Sequence, residues 1–252
     1  MRWGSFVACG DSFTEGMDDP YGDGTYRGWA DLVATALAAR VGGDFRYANL
    51  AIRGRLFGRV VSEQVPAALA MRPDLVSFAA GGNDMLRRNF DADALEERFD
   101  KVVGELRGTG ADVLLFRFNI ARLPAQRWMA PRAAAFNQAI ADTAERHGAK
   151  LVDLISDDAF RNPHLWSIDR LHLSSAGHRR VAAHVLTALG LPAEEAWLTE
   201  PPAHVPLPWL AARGADVAWA GRYLAPWIKR RLTGRSSGDT VTPKRPDLTP
   251  FT

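Results

Sequence analysis

Two rhythms of apolar and polar positions alternate along this chain. Short, nearly continuous apolar runs occur at Trp3 to Cys9, Phe45 to Leu50, Leu75 to Ala80, Val113 to Phe118 and Lys150 to Leu154. Their length and their Val, Phe and Leu content predict strands buried on both faces. Stretches with apolar residues at helical spacing separate or follow them, at Trp29 to Arg40, Val60 to Met71, Leu95 to Leu106, Arg132 to His147 and Ala176 to Leu189. Such alternation predicts an α/β fold: a five-stranded parallel sheet between two layers of helices, a three-layer flavodoxin-like sandwich occupying residues 1–191.

Beyond Leu191 the pattern breaks. Pro192, Pro201, Pro202, Pro206 and Pro208 cut the chain into short pieces, and helical spacing returns only over Asp216 to Leu232, interrupted by Pro226. Residues 192–232 read as an extension packed on the domain. Its stretch 209–235 combines Trp209, Trp219, Trp227 and Ile228 with Lys229, Arg230, Arg231 and Arg235. That composition suits weak contact with an anionic membrane surface or a partner, or a cap over a crevice. Residues 233–252 are rich in Gly, Ser, Thr and Pro and read as a mobile tail or a partner-docking arm.

Composition narrows the classes. The 252 residues suffice for one large α/β core, and a formal net charge of +2 provides no strong field for nucleic acid. The single Cys9 excludes an internal disulfide framework and sits in a predicted strand as a small hydrophobe. The first strand begins at once, without a secretory leader or a long apolar span, so the expected location is cytoplasmic.

Chemistry concentrates at the predicted strand ends. Ser12 follows the first apolar run in Gly10-Asp11-Ser12, while Asp169-Arg170-Leu171-His172 occupies a loop before the Ser174 helix start. A serine hydroxyl becomes a useful nucleophile when an imidazole takes its proton and a carboxylate fixes the tautomer of that imidazole. The three residue types are all present. Gly54, after the second strand, can bring a backbone N–H close to a ligand or serve as a turn glycine. Asn83, in Gly81-Gly82-Asn83-Asp84 after the third strand, can donate amide hydrogens to a developing oxyanion or make an Asx turn. The Gly-x-Ser-x-Gly elbow of α/β-hydrolases does not fit Ser12. Asp18, Asp19 and Asp23 lack the spacing of a calcium loop, no zinc motif surrounds His164, His172 and His178, and no phosphate-binding glycine fingerprint occurs. The expectation is an enzyme with neither metal nor cofactor.

Taken in order, the blocks Gly-Asp-Ser-Phe, Gly54, Gly-Gly-Asn-Asp and Asp-Arg-Leu-His resemble those of the SGNH (GDSL-type) hydrolase and esterase family, over residues 6 to about 180. The first block has Phe13 where the older family name has Leu, an apolar exchange. The resemblance implies strand order 2-1-3-4-5, Ser12 as nucleophile, His172 as base and Asp169 as its orienter. It also implies an oxyanion hole of the Ser12 and Gly54 backbone N–H groups and the Asn83 side chain. The implied reaction is hydrolysis of a carboxylic ester, lipid or sugar acetate included, through an acyl-enzyme. Transfer of the acyl group to another acceptor, or a binding module without turnover, are the alternatives. Asp11, Trp29, Trp128 and Trp166 are the expected substrate contacts, the tryptophans being able to stack on a sugar, line an acyl slot or sit in the core.

Overall fold

Six strands form the central sheet: β1 (Ser5–Gly10), β2 (Arg46–Asn49), β3 (Leu75–Ala79), β4 (Asp112–Arg117), β5 (Lys150–Asp153) and β6 (Arg245–Pro250). The computed structural model describes residues 3–119 and 126–251, without the side chains of 126–128 and 231–232. The sheet order is β5-β4-β3-β1-β2-β6, with β1 to β5 parallel and β6 antiparallel to β2. The first five strands therefore take the implied order. The sixth was not expected.

Successive residues of a strand point to opposite faces, and β1 divides its side chains accordingly: Phe6 and Ala8 enter one core layer, Val7 and Cys9 the other. The first layer is covered by α2 (Gly28–Val41) and α8 (Ser175–Ala188), which supply Trp29, Val33, Leu37, Val181 and Val185. The second is covered by α3 (Phe57–Glu63), α4 (Val65–Met71), α6 (Ala92–Gly108) and α7 (Gln126–His147), with Phe57, Phe78, Phe99 and Phe136 packed ring against ring. Two very short helices, α1 (Ser12–Glu15) and α5 (Gly82–Met85), follow β1 and β3 directly.

The predicted helix at Val60 to Met71 is two helices, broken at Gln64. Its side chain is 2% exposed and turns back to β1, where Oε1 accepts from the Gly10 N–H (2.8 Å) and Nε2 donates to the Gly10 carbonyl (2.9 Å). Pro66 lies in the first turn of α4, where its missing N–H costs no hydrogen bond. The helix predicted from Arg132 starts earlier, at Gln126, and contains Pro131.

Past Leu191 the chain is pinned to the domain by arginines. The Arg180 guanidinium donates to the carbonyls of Leu198 and Thr199, and Arg40 to that of Pro192. A helix then runs from α9 (Trp209–Trp219) through one π-type turn (Ala220–Leu224) into α10 (Ala225–Leu232). The looser turn lies just before Pro226, whose ring and missing N–H disturb regular α-helical pairing. Trp209, Leu210 and Val217 project from this helix into solvent, each more than 70% exposed. Among the described residues no helix is long and apolar enough to cross a membrane.

The expectation of a mobile tail over 233–252 is corrected. Residues 245–250 are β6, Leu248 and Phe251 pack against the core layers, and the Phe251 ring meets Tyr47 edge-on at 5.2 Å. Prolines that argued against structure are tolerated because β6 is an edge strand, with one side free of ladder bonds. Lys244, just before it, is drawn inward by the buried Asp31, with Nζ 2.8 Å from Oδ1 and also donating to the Tyr26 and Arg27 carbonyls.

Candidate active site

The site lies at the carboxyl ends of β1, β2 and β3. Gly10 ends β1 in contact too close for any side chain, since an added Cβ would lie 2.6 Å from the Ala79 carbonyl oxygen. Asp11 then caps α1 by accepting from the Phe13 N–H (3.1 Å), so Ser12 becomes the first helical residue, half-buried at the mouth of a crevice. Gln64 clamps Gly10 from the opposite layer. The serine is thereby fixed through its two preceding residues.

Gly54 is held by neighbours on both sides. The Arg53 N–H donates to Glu15 Oε2 (2.7 Å) and the Arg53 guanidinium pairs with the same carboxylate, tying the loop after β2 to α1. At φ 71° Gly54 occupies left-handed backbone, and an added Cβ would meet Ser236 Oγ at 2.4 Å. Ser236 donates in turn to the Gly54 carbonyl (3.3 Å). Asn83, in α5, spends its amide hydrogens locally: Nδ2 donates to Asp11 Oδ2 (2.9 Å) and to the Arg55 carbonyl (3.1 Å). The amide thus joins the ends of all three strands.

Asp169 and His172 meet within one tight turn, made by Arg170 at φ 59°. Asp169 Oδ1 accepts from the Leu171 and His172 N–H groups (2.9 Å each), leaving Oδ2 to receive His172 Nδ1 at 2.5 Å. A second carboxylate, Asp18, approaches the same ring nitrogen at 4.0 Å. Burial alone would lower the His172 pKa; the bond and charge of Asp169, with Asp18 and Asp11 behind it, outweigh burial and raise it above the usual histidine value. Burial opposes ionisation of Asp169 too, yet the His172 interaction and the backbone donors hold its carboxyl below the ordinary range. Asp11 behaves differently. Burial, reinforced by Asp84 and Glu15, pushes it up to about 6 against the Phe13 N–H and His172.

His178 has a supporting place. Its Nδ1 accepts from the Trp29 N–H (3.2 Å) and its Nε2 faces the Met17 carbonyl (3.0 Å), which fastens the Met17-Asp18 loop to α8. Burial dominates and pushes its pKa down to about 4, so the ring is neutral near pH 7.

Two cavities meet at this point. One of about 140 Å³ is lined by Ser12, Asn83 and His172 together with Phe13, Phe118, Phe160, Trp166 and Leu171. The other, of about 530 Å³, is lined by Ser12, Gly54, Asn83, Asp169 and His172, with Leu86, Met129 and, from the C-terminal helix, Trp219, Tyr223, Leu224 and Trp227. Ser12, Gly54, Asn83, Asp169 and His172 are thus brought together. Trp166 lines the smaller cavity, its Nε1 donating to the Phe160 carbonyl (2.7 Å). Trp29 is not a cavity residue: it is fully buried in the core between Phe13 and Phe116, because it opens α2 on the helix face that packs on the sheet. The side chain of Trp128 lies outside the described residues. Gln64, Asp18 as a second carboxylate beside His172, and Tyr223 and Leu224 on the inward face of the C-terminal helix are what the sequence reading missed, while the cap over a crevice was one of its alternatives for that helix. The spacing of Trp219, Tyr223 and Trp227, four residues apart each time, was the available signal.

Comparison with known proteins gives one family. The family model described as GDSL-like lipase/acylhydrolase matches residues 8–180. No curated protein matches the chain. Among solved structures, TesA is 25% identical with a TM-score of 0.59, over 73% of this chain and 97% of its own. LAE5, an alpha/beta hydrolase enzyme from the metagenome of Lake Arreo, Spain, gives 24% and 0.62 over 75% and 96%. Axe2, an acetylxylan esterase from Geobacillus stearothermophilus, gives 21% and 0.61 over 80% and 100%. These likenesses bear on the fold.

Proposed function

The chain belongs to the GDSL-like lipase/acylhydrolase family, and from that premise we propose that it hydrolyses carboxylic esters through a Ser12–His172–Asp169 triad and an acyl-enzyme. The observation that carries the reading is the 2.5 Å pairing of His172 Nδ1 with Asp169 on the wall of a cavity shared with Ser12, Gly54 and Asn83.

With Nδ1 committed to Asp169, the neutral ring presents an unprotonated Nε2 to the crevice. Ser12 Oγ attacks the ester carbonyl carbon as Nε2 takes its proton, and the carbonyl π electrons move onto oxygen. The oxyanion is received by the N–H groups of Ser12 and Gly54 and by Asn83 Nδ2, whose hydrogens it shares with Asp11 and the Arg55 carbonyl. Collapse expels the alkoxide, which takes the proton from His172 and departs as the alcohol. Water then gives its proton to Nε2, adds to the acyl-enzyme and releases the acid, and Ser12 recovers its hydrogen. Asp169 stays ionised and stabilises the imidazolium formed in each half.

Substitution Ser12→Ala tests the assignment. Turnover of p-nitrophenyl acetate is expected to fall at least about a thousandfold and fluorophosphonate labelling to vanish, with the melting temperature kept. Labelling that persists on another serine refutes the nucleophile.

A further inference from the structure

The family match ends at residue 180, and the solved relatives are covered almost whole by 73–80% of this chain. The helix over 209–232 is placed over the site by contacts to its most sensitive loop. Trp219 Nε1 donates to the Asp169 carbonyl (2.9 Å), Asp216 pairs with Arg170 (2.7 Å), and the Arg170 guanidinium lies 5.1 Å from the centre of the Trp219 indole. No residue of α9 or the π turn is buried. Aromatic and aliphatic side chains at helical spacing normally fill a core. Here Trp219, Tyr223, Leu224 and Trp227 face a cavity of about 530 Å³ instead.

We propose that this helix is the substrate-selecting roof of the enzyme, and that the substrate is an ester with one long apolar arm and one short arm. The proposal rests on the esterase reading of the site. A dry cavity of about 150 Å³ accommodates benzene, roughly 25 Å³ per carbon. On that scale the roofed cavity holds an arm of up to about twenty carbons, while the cavity of about 140 Å³ holds about six. Both open on Ser12, so an ester seated across the nucleophile sends one arm into each. Tyr223, Leu224 and Trp227 are the specificity-determining residues of the long-arm site: with Leu86 and Met129, which line the same cavity, they exclude water from an alkyl chain. The lining also carries polar groups, Asp18, Arg53, Ser167, Ser237 and, on the roof helix itself, Arg230.

The test uses the full chain and two ester series, p-nitrophenyl esters with acyl arms of two to sixteen carbons and acetates of alcohols over the same lengths. Each methylene moved from water to an apolar wall multiplies kcat/KM by up to about fourfold. At least one series is therefore expected to rise about a hundredfold or more between four and twelve carbons. Leu224→Trp fills the cavity and should lower the twelve-to-four-carbon ratio at least about tenfold; Trp227→Ala, which removes wall, should lower it in the same direction. Melting curves verify that each variant is folded. Inactivation of the unsubstituted protein by ethyl against dodecyl phosphonates reads the same preference without a variant. A flat profile in both series, or a ratio unmoved by Leu224→Trp, overturns the proposal, while short-ester turnover and Ser12 labelling leave the esterase reading standing. If no ester is cleaved and no phosphonate attaches to Ser12, the esterase reading falls, and the roof proposal with it.

Discussion

Asp169→Asn separates the two tasks of one carboxylate. Its Oδ1 accepts from two backbone N–H groups and its Oδ2 from His172 Nδ1. An asparagine must keep its carbonyl on the two N–H donors, because turning its NH₂ toward them would forfeit both bonds, each worth about 1 kcal/mol or more. The NH₂ then faces Nδ1, which can only accept. The proton moves to Nε2, and the ring can no longer take the Ser12 proton. Loss of the correct tautomer in a triad lowers kcat by about 10⁴, or about 5.4 kcal/mol at 1.36 kcal/mol per tenfold.

Here the loss should be smaller, nearer 10³, because Asp18 remains 4.0 Å from Nδ1 and still favours the imidazolium. Coulomb's law at an effective dielectric between 80 and 20 gives about 1 to 4 kcal/mol for such a pair; partial solvent exposure of Asp18 argues for the low end. The assay is kcat and KM for p-nitrophenyl acetate at pH 8, alongside the rate of fluorophosphonate inactivation. Both rates should fall together with KM little changed, and Asp18→Asn added to Asp169→Asn should remove about a further tenfold. A loss below tenfold in the single variant, with the fold intact, would refute the view that Asp169 sets the tautomer.

The acid limb of kcat/KM should lie above pH 6.5: the working form is neutral, His172 has its pKa raised by Asp169 and Asp18, and protonation at falling pH removes it. A midpoint below 6 contradicts this. Asp18→Asn alone should move that limb to lower pH, read from the same profile, because it removes one of the charges that raise the His172 pKa. Cys9, whose thiol burial pushes up to about 12, should resist iodoacetamide at pH 8 in the native protein and react once unfolded. Lys244→Ala leaves the 4% exposed Asp31 without its cation and should destabilise the fold by about 3 kcal/mol or more in urea unfolding.

What was legible in the sequence was what local rhythm encodes. The run Leu75 to Ala79 is buried at every position, as a central parallel strand must be, and the apolar runs before it and after it end where chemistry-bearing loops begin. Ser12, Gly54 and Asn83 could be placed at one rim because three such runs stop there. Gln64 shows the limit. A glutamine inside a helical stretch reads as a solvated position, yet this one is buried because its amide matches the two backbone groups of Gly10, fifty-four residues away. Trp29 failed for the opposite reason: an aromatic near a site motif looks like a ligand contact, and only packing reveals it as the wedge between α2 and the sheet.

The segment beyond residue 232 was illegible because it makes little sense as a local structure. Most of its side chains are polar, its prolines forbid a central strand, and its partners lie 182 to 218 residues upstream: Ser236 on Gly54 and Lys244 on the Tyr26 and Arg27 carbonyls. Each attachment meets a different support of the site. Ser236 holds the loop after β2, Lys244 holds the entry to α2 beside Asp31, and Trp219 and Asp216 hold the turn that carries Asp169. β6 supplies the purchase, since pairing with the exposed edge of β2 satisfies backbone groups that would otherwise face water or another chain. An edge strand thus lets one segment brace three loops from outside. The helix over 209–232 can remain unpacked beneath, because its position is fixed by the chain on either side of it and by the Asp169–Arg170 turn rather than by a filled interior.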